Sequence, residues 1–203
     1  ANHRDSVERI ASYLADKGFV VSAFHGGLDQ QQREAALYKF SNGSANVMVC
    51  TDLGSRGLDI DNIAHVVHYH LPETKEAYTH RTGRTARWNA EGTSLFILGP
   101  NERLPEYVGE SEEIHLPDEL PAPAKPRMVT VYIGKGKKDK ISRGDIVGFL
   151  CKKGGLQSAD IGKIDVKERY SYVAVSSNKA KSLLNRVQGE KIKGLRTVCE
   201  LIK

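Results

Sequence analysis

The sequence predicts an α/β domain built on a parallel sheet, followed by a small α+β domain of the order β-α-β-β-α-β. Three observations predict it. Helical and strand periodicities alternate over residues 1–99, six of the seven prolines fall within residues 100–126, and after them the elements resume in a different order.

In chain order, SVERIASYLADKG places Val7, Ile10, Ala11 and Leu14 on one helical face and stops at Gly18. FVVSAF is a short buried strand, QQQREAALYKF is helical, and ANVMVC and IAHVVHY are two more strands. TKEAYTHRTGRTAR reads as a helix and GTSLFIL as the last strand. Strands separated by helices need crossover connections, which makes the sheet parallel. The chain opens directly on a helix, so we expect a first domain that lacks the strand before residue 1.

Proline removes a backbone donor and disfavours helix in the residue before it, so residues 100–127, with PAPAKP near their end, read as an extended linker. Beyond it MVTVYIG is a strand, ISRGDIVGFLCKKGG a helix ending at glycine, IGKIDV and YSYVAV two strands, NKAKSLLNRVQG a helix and LRTVCELI a last strand. This is the split β-α-β-β-α-β arrangement. The expected organisation is thus residues 1–99, a linker over 100–127, and residues 128–203.

Composition narrows the function. With 39% apolar and 27% charged residues the chain is neither a disordered tail nor a rod. No run approaches the ~18 consecutive apolar residues of a membrane span, and the charged first 20 residues have no signal-peptide stretch. A cytoplasmic location is the expectation. Cys50, Cys151 and Cys199 are far apart, so no disulfide framework or zinc site is expected. The net charge of +5 divides into −1 over residues 1–100, −4 over 101–127 and +10 over 128–203. Such asymmetry points to separate modules and a polyanionic partner.

The most specific string is HRTGRTAR, residues 80–87, in which Arg81, Arg84 and Arg87 are spaced by three. On a helix they would project from one side and offer several guanidinium forks to one anion. TDLGSRGLDI, residues 51–60, follows a predicted strand with a polar, glycine-bearing turn, the place where ligands of open α/β sheets collect. His65, His68 and His70 cluster in HVVHYH, and His68 with His70 share one strand face, but no third ligand is evident nearby, so no metal is expected.

These strings resemble the DEAD-box RNA helicases, specifically their second RecA-like domain. TDLGSRGLDI is similar to motif V, HRTGRTAR to motif VI, and HGGLDQQQREAALYKF, with Gln30 and Arg33 in QxxR spacing, to the stretch between motifs IV and V. The resemblance implies that Arg84 and Arg87 contact the γ-phosphate of ATP, Arg87 as the finger-like residue, and that Asp59 with Gly57 faces the nucleotide. It further implies RNA-phosphate contacts near Thr51, Gly54, Gly26 and Arg33, with His80 coupling the two sites. Ala86 stands where the family has glycine. No GxxxxGK[ST] and no DEAD string occurs, and DELP at residues 118–121 lies in the linker. The resemblance therefore implies that Mg²⁺ and most of the ATP site belong to another RecA-like domain, and that this chain alone hydrolyses no ATP.

Residues 128–203 resemble the RNA-binding domain of DbpA-type DEAD-box proteins, a divergent RNA-recognition motif, through RGDIVGFL, ADIGKIDV, YSYVAV and GEKIKG. The resemblance implies structured RNA of the large ribosomal subunit as the target. Tyr132, Tyr170 and Tyr172 alternate onto one sheet face where bases could stack, but Glu168 and Arg169 depart from the motif's usual string, leaving simple edge packing as the alternative. A second candidate surface is the basic loops: Lys135, Lys137, Lys138, Lys140 and Arg143, with Lys152 and Lys153, and with Lys191 and Lys193. A non-enzymatic RNA-binding adaptor with a helicase-like scaffold is the alternative function.

Overall fold

The computed structural model describes residues 1–52, 60, 63–85 and 92–202. They form two compact units, residues 1–33 with 48–123, and residues 34–47 with 124–203.

The first unit starts with α1 (Arg4–Asp16), whose Val7 is fully buried. Then come β1 (Val21–Phe24), the start of α2 (Gln30–Ser41), β2 (Val47–Cys50), β3 (His65–His68), α3 (Lys75–Thr82) and β4 (Thr93–Phe96). β3 and β4 are parallel, in register from His65 opposite Thr93 to His68 opposite Phe96. Among the described residues the strands form two separate pairs, β1 with β2 and β3 with β4, rather than one continuous sheet. The first two residues lie between the pairs: the Ala1 amino group donates to the Cys50 carbonyl at 2.9 Å, and the Asn2 N–H donates to His70 Nδ1 at 3.0 Å. That space therefore holds chain, not strand-to-strand pairing.

One expectation fails usefully in α3. Thr74 caps the helix by accepting the Ala77 N–H at 3.1 Å, and the helix stops at Thr82 with Gly83 as its C-cap. Arg81 is helical, Arg84 lies in the turn beyond, and Arg87 is outside the described residues. Arg81 and Arg84 therefore do not share one helical face.

The second unit carries an antiparallel sheet in the order β10-β5-β7-β6. Its strands are β5 (Met128–Ile133), β6 (Ile161–Val166), β7 (Ser171–Ser176) and β10 (Cys199–Leu201). α4 (Arg143–Lys152) and α5 (Ala180–Val187) cover one face. Alternation sends Val131, Ile133, Val173 and Val175 to that face, where they meet Ile146, Phe149, Leu150, Leu183 and Val187 in one core. Each such aliphatic contributes about 1.5–3 kcal/mol by leaving water. Ser142 and Asp145 start α4 with a reciprocal capping box.

LRTVCELI is not one strand. Leu195–Arg196 forms β9, which turns back to pair with β8 (Lys191–Ile192), while β10 pairs with β5. Thr197 and Val198 are the break between these two pairings.

Candidate functional site

In the first unit the candidate residues surround the ends of β1, β2 and α3. His25 is buried, with Nδ1 accepting the Gly27 N–H at 3.2 Å and Nε2 3.4 Å from Glu8 Oε1. A Cβ at Gly26 would meet nothing within 4 Å, so this turn presents bare backbone. Asp29 and Gln32 begin α2 reciprocally: the Gln32 N–H donates to Asp29 Oδ1 at 2.8 Å and the Asp29 N–H to Gln32 Oε1 at 2.9 Å. Within the same first turn Arg33 donates to Gln30 Oε1 at 3.0 Å. Thr51 leaves β2 with its N–H on the Phe24 carbonyl at 3.3 Å. Gly54, Gly57 and Asp59, like Arg87, lie outside the described residues.

At the end of α3, His80 is exposed and Arg84 half-buried, its Nε donating to the His80 carbonyl at 3.3 Å. Arg81 is different in kind. It is 8% exposed, and its guanidinium grips both oxygens of Asp52 at 2.6 and 2.7 Å, the His70 carbonyl at 2.8 Å and Asn2 Oδ1 at 2.7 Å. A fork used in this way has no geometry left for a phosphate, which corrects the expectation that it shares an anion with Arg84 and Arg87. Burial alone would raise the Asp52 carboxyl, but the hydrogen bonds and charge of Arg81 outweigh it and hold it below the usual carboxylate range.

His68 completes this strut. It is buried, stacks on Phe96 at 4.3 Å between ring centroids, and places Nε2 3.0 Å from Ser94 Oγ and Nδ1 3.4 Å from Arg81 Nη1. Burial first, and the Arg81 charge second, push its imidazole down to about 4. A neutral ring that accepts from Arg81 and donates to Ser94 satisfies both contacts. Of the three clustered histidines, His68 is thus committed to Arg81, His70 to the Asn2 N–H, and His65 is exposed.

In the second unit Tyr132, Tyr170 and Tyr172 do gather on one sheet face, with ring centroids 5.1 to 6.1 Å apart. Tyr172 is fully buried, its ring 5.3 Å from that of Tyr38. Tyr170 donates its hydroxyl to Glu34 Oε2 at 2.9 Å, and burial followed by Glu34 raises its pKa. Stacking on Tyr172 is therefore closed off in this structure because residue 38 covers it, leaving Tyr132 and Tyr170 half-exposed.

The basic loops hold together more firmly. Gly136 is buried, and a Cβ there would lie 2.3 Å from the Lys167 carbonyl oxygen, so only glycine permits the close approach. On either side of that contact the N–H groups of Lys137 and Lys138 donate to the Lys167 and Glu168 carbonyls at 2.9 Å each. Lys193 Nζ donates to the Lys140 carbonyl at 2.9 Å and to Asp145 Oδ2 at 3.2 Å, tying the β8–β9 hairpin to the same loop. Ser142 first and Lys193 after it hold Asp145 down to about 2. Lys193 is a fastener as much as a candidate contact. Lys137, Lys138, Lys140, Arg143 and Lys191 are exposed, with Lys137 only loosely paired to Glu168 at 3.9 Å.

The helicase conserved C-terminal domain family matches residues 1–89, and the DbpA RNA binding domain family matches residues 130–201. The ATP-dependent RNA helicase DbpA of Escherichia coli is 35% identical over 209 residues, covering 100% of this chain and 46% of its own length. The chain is similar to the DbpA-type DEAD-box proteins over its whole length. The DbpA of Bacillus subtilis is 31% identical over 220 residues, covering 94% of this chain and 46% of its own. Beyond the DbpA proteins, the ATP-dependent RNA helicase mak5 of Schizosaccharomyces pombe is 43% identical over 102 residues, 50% of this chain and 16% of its own. This chain thus spans about half the length of the DbpA proteins it matches.

Two features of this DbpA-type chain escaped sequence reasoning. Asp52 carries no signal for its ion pair with a residue 29 positions away, because only the fold brings β2 to α3. The split of the final strand was equally hidden, since LRTVCELI has an uninterrupted strand-like composition.

Proposed function

We propose that this chain is the C-terminal part of an ATP-dependent RNA helicase that remodels structured RNA, with large-subunit ribosomal RNA as the target suggested by the resemblance of its second domain. The observation that carries the reading is a helicase C-terminal domain followed in one chain by a DbpA RNA-binding domain. The working division keeps residues 1–99 as the RecA-like half, 100–127 as connector and 128–203 as the RNA-recognition half.

ATP is the substrate. On the resemblance Arg84, half-buried beyond the end of α3, turns its fork toward a phosphate, and the exposed His80 beside it responds to one. Arg87, Asp59 and Gly57 complete the nucleotide-facing set on the resemblance. Mg²⁺ and the phosphate-cradling loop come from the other RecA-like domain of the full-length protein. RNA runs past the bare backbone at Gly26, past Arg33, and past Thr51 and Gly54, gripped through its phosphates without regard to sequence. The basic loops of the second domain supply the address. Three free cysteines, none paired, fit the reducing cytoplasm.

RNA-stimulated ATP hydrolysis by the purified full-length protein tests the reading. Arg84→Ala lowers kcat by on the order of 10³-fold, as expected for an arginine that stabilises a transferring phosphoryl group. RNA binding without nucleotide is unchanged, and the 203-residue chain alone shows no turnover. Wild-type kcat in Arg84→Ala, or turnover by the isolated chain, overturns it.

A further inference from the structure

The connector does not run free from its start. Leu104, Pro105, Tyr107 and Val108 are half-buried, and only from Gly109 through residue 122 is every residue exposed. Two local devices shape the docked part. The Gly99 N–H donates to Glu102 Oε2 at 2.7 Å and the Glu102 N–H to the Gly99 carbonyl at 3.0 Å, which makes a tight turn beyond β4. Pro105 then leads into a single 3-10 turn, Glu106–Val108, closed by the Val108 N–H on the Pro105 carbonyl at 3.0 Å and ended by Gly109 at φ 79°.

That turn presents Tyr107 to α3. The Tyr107 hydroxyl donates to the Pro72 carbonyl at 2.5 Å, just before the Thr74 cap, and its ring lies 5.7 Å from that of Tyr78 within the helix. Tyr78 in turn lies 5.9 Å from His68 and 6.1 Å from Phe96, all distances at which aromatic pairs attract. Tyr78 and Arg81 are three residues apart, so they project from one side of α3. With eight residues, α3 is too short to stand without packing. Held at Arg81 alone, so short a helix could pivot. The second hold, at Pro72 and Tyr78, removes that freedom, and Arg84 follows the helix end directly with its Nε on the His80 carbonyl.

We propose that Tyr107 is a positioning residue for ATP hydrolysis: it braces the start and middle of α3 and so fixes where Arg84, beyond its end, meets the transferring phosphate. The proposal rests on the ATP-dependent reading above and adds to it a residue from outside the motif strings, in a segment whose composition reads as spacer.

The test measures RNA-stimulated ATP hydrolysis by the purified full-length protein and its variants Tyr107→Phe, Tyr107→Leu, Arg84→Ala, and Tyr107→Leu combined with Arg84→Ala. Tyr107→Leu lowers kcat by about 30-fold, in the range that a small displacement of a reacting group costs, and leaves RNA binding without nucleotide at the wild-type level. Tyr107→Phe keeps the ring on Tyr78 and loses only about threefold, the worth of one neutral hydrogen bond. Once Arg84 is alanine, adding Tyr107→Leu costs less than about twofold, because residues that act as a unit lose their effect together. Equal loss in the two backgrounds marks a merely structural role and overturns the proposal, as does wild-type kcat in Tyr107→Leu. Amide hydrogen exchange supplies a readout free of activity: in the 203-residue chain Tyr107→Leu quickens exchange of α3 by about tenfold and leaves α1 at wild-type rates. Unchanged exchange in α3, or equal quickening of α1 and α3, also overturns the brace. Absence of RNA-stimulated hydrolysis in the wild-type full-length protein, or wild-type kcat in Arg84→Ala, overturns the ATP-dependent reading itself, and the positioning role falls with it.

Discussion

The chain uses positive charge in two opposite ways. Arg81 in the first unit is buried and surrounded by acceptors, and it ties the end of α3 to Asp52, just beyond β2. The lysines of residues 137–140 in the second unit are exposed on a loop fastened through its backbone, so their side chains are left to solvent. The first arrangement makes a rigid joint; the second makes a surface for an anion. Net charge does not separate them, because Arg81, whose guanidinium meets four acceptor atoms, lies in a nearly neutral segment.

Removing the joint gives the largest change. Arg81→Met removes the guanidinium fork from Asp52, whose side chain is 36% exposed, and loss of such charge-assisted hydrogen bonds costs about 2 kcal/mol. Denaturant unfolding of the 203-residue chain should show that loss, and adding Asp52→Leu should recover part of it. Arg84→Ala, which loses a long hydrogen bond from a half-buried side chain, should cost less, about 1 kcal/mol. If Arg81→Met and Arg84→Ala cost the same, the division between strut and phosphate-facing arginine is wrong.

The joint also has a pH signature between 6.5 and 4, above the more acid range where Asp145 beside the basic loop, held down to about 2, loses its charge. His68 titrates near 6.5 when unfolded and about 4 when folded. Between those values the unfolded chain binds a proton that the folded chain refuses, so stability falls as pH drops from about 6.5 toward 4 and is insensitive to His68 above that window. The depressed Asp52 carboxyl acts in the same sense, since acid protonates it more readily in the unfolded chain. His68→Phe, which keeps an aromatic ring against Phe96, should flatten thermal unfolding across pH 6.5 to 4. A slope equal to wild type would remove His68 from the account.

How much of this was legible beforehand follows from how local each feature is. The capped helix beginning at Arg143 and the strand IGKIDV could be read because Ser142, Asp145 and the apolar spacing act within a few residues. The helix around HRTGRTAR was overextended. Periodicity continued through Arg87, and the stop at Gly83 depends on one glycine and a turn at Arg84. The tyrosine face was legible as a face from alternation alone, but its coverage was not, since burial of Tyr172 depends on Tyr38, 134 positions earlier in the sequence. The split of the last strand was hidden for a related reason. Strand propensity cannot tell one strand from two when partners decide where pairing changes.

The loop carries the smallest predicted change and the sharpest contrast with Arg81. If Lys137 and Lys138 meet RNA phosphates, replacing both with alanine releases about two fewer counterions on binding. The plot of log affinity against log salt then becomes shallower by about one to two units. Stability should barely respond, because both side chains are exposed and the loop is held by the N–H groups of residues 137 and 138, which alanine retains. Arg81→Met should do the reverse, lowering stability without changing the salt slope of the RNA-recognition half. A slope unchanged by the double alanine variant would mean that these lysines are merely solvated, and would move the RNA contact to the exposed Arg143 and Lys191.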